Sequence, residues 1–396
     1  MFDSINLGMS TSGKPFDAGI LAESLIFYRK VCLIASSSTL GVLFKLIPPL
    51  QVLRLMQQGV LEIHFSESAK AVFSTNPYPG IQKYSLGAFS FPGGDLETQA
   101  TAAVRQAMGK TGQSRVAASQ FCKLIRPSDQ NTFNDYLFLN ELKVAEIVVP
   151  EVSALVRKLA PNYTQSEPIK FSIEGQSSGF IVKTNLVFDA INSEYHKMVS
   201  PAHSTVTEAY ILALIQKARE SAYLAAKLGS ELVADPVESC ILESHLDEVI
   251  AARSRSENEI DSFAHLILDA GKPIREMINS GRVDFAEVLK VVERSAKFRE
   301  WASGQATDAN LVTALYQKTI QDTWIEKLPS KSVRFALFTG GGIALDALVG
   351  SGGIATVASV GLGAFDNFLV DKLVGGWKPH HFVEQDLAPV FRKSGK

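Results

Sequence analysis

The chain has 396 residues, three cysteines, and 39 Lys plus Arg against 41 Asp plus Glu, for a net charge of -2. That length supports two or three domains whose cores need no covalent staples, and an odd set of distant cysteines (Cys32, Cys122, Cys240) without a CxxC pair argues against a disulfide framework or a structural zinc site. Charge near zero excludes a global attraction to nucleic acid, so none is expected as a partner.

The first residues, MFDSINLGMSTSGKPFDAG, lack the basic and apolar regions of a secretory signal, which predicts a cytoplasmic start. From Lys30 the chain reads KVCLIASSST, then LGVLFKLIPPLQVLRLMQQG, then VLEIHFS, a strand, helix, strand unit. More than twenty residues separate the two apolar runs, room for a crossover helix and therefore for parallel strands. Pro48 and Pro49 break that helix in two. Leu61, Ile63 and Phe65 alternate with Glu62, His64 and Ser66, which predicts one buried and one solvent-facing side. The Pro- and Gly-rich stretch FSTNPYPGIQKYSLGAFSFPGGD reads as loops around one short strand, before Asp95 opens a helix to about Met108. Tyr136 to Val149 reads as a strand and Ile169 to Phe188 as a hairpin.

Beyond Pro201 the signals are those of capped helices. Thr205 with Glu208 and Asp235 with Glu238 make capping boxes, the first helix stopping at Gly229. A third helix is predicted from about Glu257 to Gly271, a fourth after Asp284 and a fifth after Asp308, ending at Pro329. The fold class is thus mixed α+β. An α/β domain spans 1–195, a helical bundle domain 196–329, and a glycine-rich helical hairpin with a tail 330–396.

Phe335 to Phe365 holds eight glycines and one charge, Asp346, and 19 uncharged residues separate Asp346 from Asp366. As one straight helix those 19 residues would measure about 28 Å, near a bilayer's hydrocarbon thickness. The turn chemistry of Gly350-Ser351-Gly352-Gly353 instead splits Val333 to Leu373 into a hairpin. Ala347, Ser351, Ala355, Ser359 and Gly363 recur every four residues as a ridge of small side chains suited to close helix packing. Trp324 and Trp377, with lysines beside them, border the segment as residues of a membrane interface do.

Ser36, Ser37, Ser38 and Thr39 follow the first of the paired strands, where open α/β sheets hold ligands, and His64 ends its neighbour. The hydroxyls serve equally as helix caps. Asp261, His265 and Asp269 share a helix face at i, i+4 and i+8, part of a divalent-metal site or a solvated charged face. The GKT at Gly109 to Thr111 lacks the leading glycine of a P-loop, and TGGG at Thr339 lacks the third glycine of a dinucleotide loop. No HExxH occurs, the GxSxG match at Gly175 to Gly179 falls in the turn of the predicted hairpin rather than between a strand and a helix, and neither an enzyme class nor a cofactor is implied.

These features predict a non-enzymatic cytoplasmic protein that associates peripherally with membrane or lipid through the hairpin, as a homo-oligomeric or partner-bound sensor or effector. Bacterial antiphage defence is one setting consistent with that design. The alternatives are an enzyme or nucleotide-binding protein with its pocket near Ser36 to Thr39 and His64, and a helical scaffold for self-assembly.

Overall fold

A computed structural model of the chain describes residues 2–8, 17–66, 68–78, 81–90, 95–128, 135–176, 179–244, 247–266, 273–305, 311, 314 and 379–391. It has the mixed α/β fold expected. Strands β1 (Ser4–Leu7), β2 (Lys30–Ala35), β3 (Leu61–Phe65), β6 (Arg126–Pro127) and β9 (Glu231–Val233) form a parallel sheet ordered β6-β3-β2-β1-β9. Between β2 and β3 the crossover is two helices, α2 (Ser37–Leu46) and α3 (Pro49–Gln57). They divide at Pro48-Pro49, as the missing N–H groups require, and Pro49 takes the first position of α3, where no N–H is needed.

The second sheet is antiparallel, ordered β4-β5-β8-β7, from β4 (Ser68–Tyr78), β5 (Ile81–Ser90), β7 (Phe171–Gln176) and β8 (Gly179–Thr184). The β4–β5 hairpin corrects the loop reading of that stretch. Its ladder runs from Ser68–Ser90 to Thr75–Lys83 and breaks register before Tyr78, which accommodates Pro77, a residue with no N–H to donate. Helices α4 (Leu96–Met108) and α5 (Gly112–Leu124) follow. Gly109 caps the end of α4 and Thr111 starts α5 with a capping box to Ser114, so the GKT is a helix-to-helix turn.

Tyr136 to Val149 is helical rather than extended, lying in α6 (Asp135–Glu141) and α7 (Ala145–Leu159). The buried stripe of α7, Val148, Val152, Leu155, Val156 and Leu159, mostly falls beyond Val149, so the shorter window showed only its β-branched leading edge. With α8 (Phe188–Tyr195), α9 (Glu208–Leu228) and α10 (Pro236–Leu242), α7 joins the second sheet in one apolar core that includes Phe138, Phe171, Phe180, Ile211 and Ile241. The cap of α9 is Thr207, whose hydroxyl accepts from Tyr210 N at 3.2 Å, not Thr205. Gly229 ends that helix in the left-handed conformation. Asp235 caps α10 through Val237 and Glu238 N–H groups, both at 2.9 Å.

The chain divides into two compact units, one of Ser4–Asp17 and Lys30–Ser254, the other of Met1–Asp3, Ala18–Arg29 and Arg255–Lys396. In the second unit α1 (Ala18–Phe27) packs on α12 (Ile274–Asn279), α13 (Phe285–Arg294) and α14 (Ala296–Ser303). Helix α11 (Asp247–Leu266) crosses the division and begins ten residues before the predicted Glu257. Phe27 meets Phe263 and Phe298 edge to face at 5.7 and 5.9 Å, and Phe298 lies 4.9 Å from Phe382 of the short helical piece Pro379–Phe382. Arg299, buried, donates to the carbonyls of Leu25 and Val292 at 3.1 Å. These bonds satisfy groups at the ends of α1 and α13 that helix geometry leaves open. Burial away from any carboxylate pushes the guanidinium down to about 10.

A buried polar sheet face as the candidate functional site

Strand alternation places Val31, Leu33, Ala35, Leu61, Ile63 and Phe65 on one side of the parallel sheet, all buried. The opposite side is largely polar, with Ile34 as an apolar member beside His64. Asn6, Cys32 and Glu62 stand in register across β1, β2 and β3, with His64 one step further along β3 and Ser4 one step back on β1. The sequence predicted a solvent-facing row at Glu62, His64 and Ser66. The structure corrects this: β3 lies between β2 and β6, and only 8% of His64 and 3% of Ser66 is exposed. Asn6 and Cys32 are buried beside them.

The donor atoms of Cys32, Glu62 and His64 lie within 4.8 Å of one another, and no other three His, Cys, Asp or Glu residues among those described gather so closely. Glu62 Oε2 sits among three cationic or protonatable groups, 3.4 Å from Arg126 Nη1, 3.5 Å from His64 Nε2 and 4.0 Å from Lys30 Nζ. Each contact is longer than a well-formed charge-assisted hydrogen bond. Ser4 Oγ lies 3.8 Å from Cys32 Sγ. Two buried atoms on this face, Asn6 Oδ1 and His64 Nε2, have no well-formed hydrogen bond among the described residues.

Burial raises the Cys32 thiol, against a smaller lowering by the Ser4 hydrogen bond. Burial likewise pulls the His64 imidazole below its ordinary value, opposed by Glu62. A fully buried cysteine with a raised pKa is a poor nucleophile, because thiolates react and this site disfavours one. Cys32 and His64 therefore do not form an activated acyl-transfer pair, although as sulfur, nitrogen and oxygen donors the three side chains are competent ligands.

Other sequence candidates are engaged elsewhere. Ser36 caps α2 with a full capping box to Thr39, and its hydroxyl lies 2.8 Å from Ser38 Oγ. Ser36 and Thr39 are buried by that turn, and the reversal of strand order, where open sheets tend to hold ligands, falls between β1 and β9 rather than beside them. Ser37 begins α2. Asp261 is paired with Arg275 Nη2 at 2.7 Å, and His265 is exposed. Asp269 lies outside the described residues, as do Trp324, Ala347, Ser351, Ala355, Ser359, Gly363 and Trp377 with the whole Val333 to Leu373 segment. Among the described residues no single helix is long and apolar enough to cross a membrane.

Sequence reasoning singled out His64 but missed Cys32, Glu62 and Asn6. The signal was the shared alternation of KVCLIA and LEIHF, which becomes a cluster only once the strand register is known. No protein-family model, curated protein or solved structure matches the chain.

Proposed function

We propose that the unit built on the parallel sheet is a binding module that holds a small ligand against its polar face at Asn6, Cys32, Glu62 and His64. One observation carries this reading: two polar atoms, Asn6 Oδ1 and His64 Nε2, are buried there without well-formed hydrogen bonds. Each such atom costs about 1–3 kcal/mol in a folded protein. A ligand that supplies a partner to both removes that cost. Thermal-shift measurements against nucleotides, phosphosugars and divalent metal ions test it, with the His64→Gln variant alongside. A rise in Tm that His64→Gln abolishes supports the module. No shift with any of them in the unmutated protein overturns it.

A second reading concerns the Val333 to Leu373 segment, whose uncharged small-residue ridge bordered by Trp and Lys favours association with lipid. In this reading the chain is a peripheral sensor or effector, the sheet unit taking the ligand and the glycine-rich segment meeting the membrane. Flotation with anionic liposomes is expected for the full chain and not for a chain ending at Pro329. Equal flotation of the two, or none, removes the segment as a lipid contact.

A further inference from the structure

We infer that the ligand of the polar sheet face is a divalent metal ion of the zinc class, bound by Cys32 Sγ, a Glu62 carboxylate oxygen and His64 Nε2, with a fourth position open on the face that also carries Asn6, in register with Cys32. The inference rests on the binding-module reading and names its ligand.

The donor set comes first. One thiol sulfur, one imidazole nitrogen and one carboxylate oxygen form the mixed set that zinc accepts, and three protein ligands with a further position open is the pattern of reactive rather than purely structural sites. Such a set needs no CxxC pair, so the absence of that motif does not exclude it.

Geometry is the second argument. Zinc bonds of about 2.0–2.3 Å put tetrahedral donors roughly 3.5 Å apart. The three donor atoms lie within 4.8 Å of one another, so closing on an ion asks for contraction of about 1 Å, within reach of side-chain rotation. All three come from adjacent strands, Cys32 and Glu62 paired in register and His64 two residues beyond Glu62. The sheet thus holds their backbones fixed without the ion.

Charge and hydrogen bonding supply the third. A thiolate and a carboxylate together neutralise a divalent cation. Arg126 and Lys30 also approach Glu62, but Arg126 is 62% exposed and both contacts are long, so these side chains can turn outward as the ion takes the carboxylate. A plain ion-pair network explains Glu62 alone. It leaves Asn6 Oδ1 without a hydrogen bond and His64 Nε2 with only the long 3.5 Å approach to Glu62, whereas a metal ion takes the imidazole as a ligand. No step of chemistry on a substrate is assigned to the ion.

The test is titration of the chelator-treated full chain with Co²⁺, read by absorption, followed by displacement with Zn²⁺. The expected result is one tightly bound Co²⁺ per chain, with visible bands of a tetrahedral site and an ultraviolet thiolate-to-cobalt charge-transfer band that Zn²⁺ abolishes. Cys32→Ser is expected to remove the charge-transfer band, and Glu62→Gln and His64→Gln to weaken binding at least tenfold. The Cys122→Ser/Cys240→Ser double variant, which keeps Cys32 alone, retains the band and reports even where Cys32→Ser fails to fold. Absence of the band from the unmutated chain, or its loss from the double variant, overturns the metal assignment. If the band is absent but a nucleotide or phosphosugar gives a His64-dependent thermal shift, the metal fails and the binding module stands. If neither appears, both fail.

Discussion

Burying His64 on a polar sheet face makes the folded chain sensitive to acid at one identifiable residue. Its imidazole is held below the ordinary 6.5 by burial. On acidification the unfolded chain takes up this proton first and the native chain only at lower pH. Stability from this group is therefore fully present above about pH 6.5 and is lost as the pH falls toward the depressed native value. The stability difference between the unmutated chain and His64→Gln, measured by urea unfolding, is expected to be constant above about pH 7 and to shrink on acidification. A difference independent of pH removes the buried imidazole as its source. Ser36 makes the contrasting case. Its cap on α2 is local, so Ser36→Ala is expected to cost about 1 kcal/mol in urea unfolding with the slope unchanged, and to leave any ligand-induced thermal shift intact. A lost shift would return Ser36 to the ligand site. His64 was legible in the sequence because it stands at the end of an alternating run. Asn6 was not, because nothing in SINL shows that it will lie beside Cys32.

At the scale of elements, close approach at a glycine sets how nearly α1 and α12 meet. Its Gly19 N–H donates to Asn279 Oδ1 at 2.9 Å, and a Cβ added to Gly19 would lie 2.3 Å from the Arg275 carbonyl oxygen. Backbone atoms cannot step aside as a flexible side chain can. Gly19→Ala is therefore expected to destabilise the chain by about 3 kcal/mol, the upper end of overpacking costs, read as a drop in urea midpoint; a loss under about 0.5 kcal/mol would show that α1 and α12 slide freely. The elements most legible in the sequence were those with strong local punctuation: the crossover broken at Pro48-Pro49, the Asp95 cap, the Asp235 capping box and the Gly229 stop. Misreadings arose where tertiary context outweighed local composition. Prolines and glycines suggested loops in what is a hairpin of nine paired positions only because cross-strand pairing from Ser68 to Tyr78 absorbs them. The short β-branched run ending at Val149 is the front of a long helical stripe, visible only in a window reaching Leu159.

For the whole molecule, each unit draws on segments far apart in the chain. The first seven residues serve both units, Met1–Asp3 in one and Ser4–Leu7 as the strand between β2 and β9 in the other. Removing Phe2 to Leu7 deletes the central neighbour of both strands and the Asn6 side chain. Such a chain is expected to lose cooperative thermal unfolding in calorimetry. A sharp transition in the shortened chain would show that β2 and β9 find another arrangement. That mixed α/β class was legible because it depends on periodicity alone; the discontinuous units were not, because they depend on which distant strands pair.

The place of β1 also governs when the sheet can form. Leu7 pairs with Val233, so β1 waits for a strand made more than two hundred residues later. At about 5–20 residues per second of synthesis, that interval is roughly ten to forty-five seconds. Throughout it β1 has β2 on one side and an open row of backbone donors and acceptors on the other, the kind of edge that recruits stray strands. The nascent chain is thus most exposed to misassembly before Val233 leaves the ribosome, which makes a holding chaperone most useful during synthesis rather than after it.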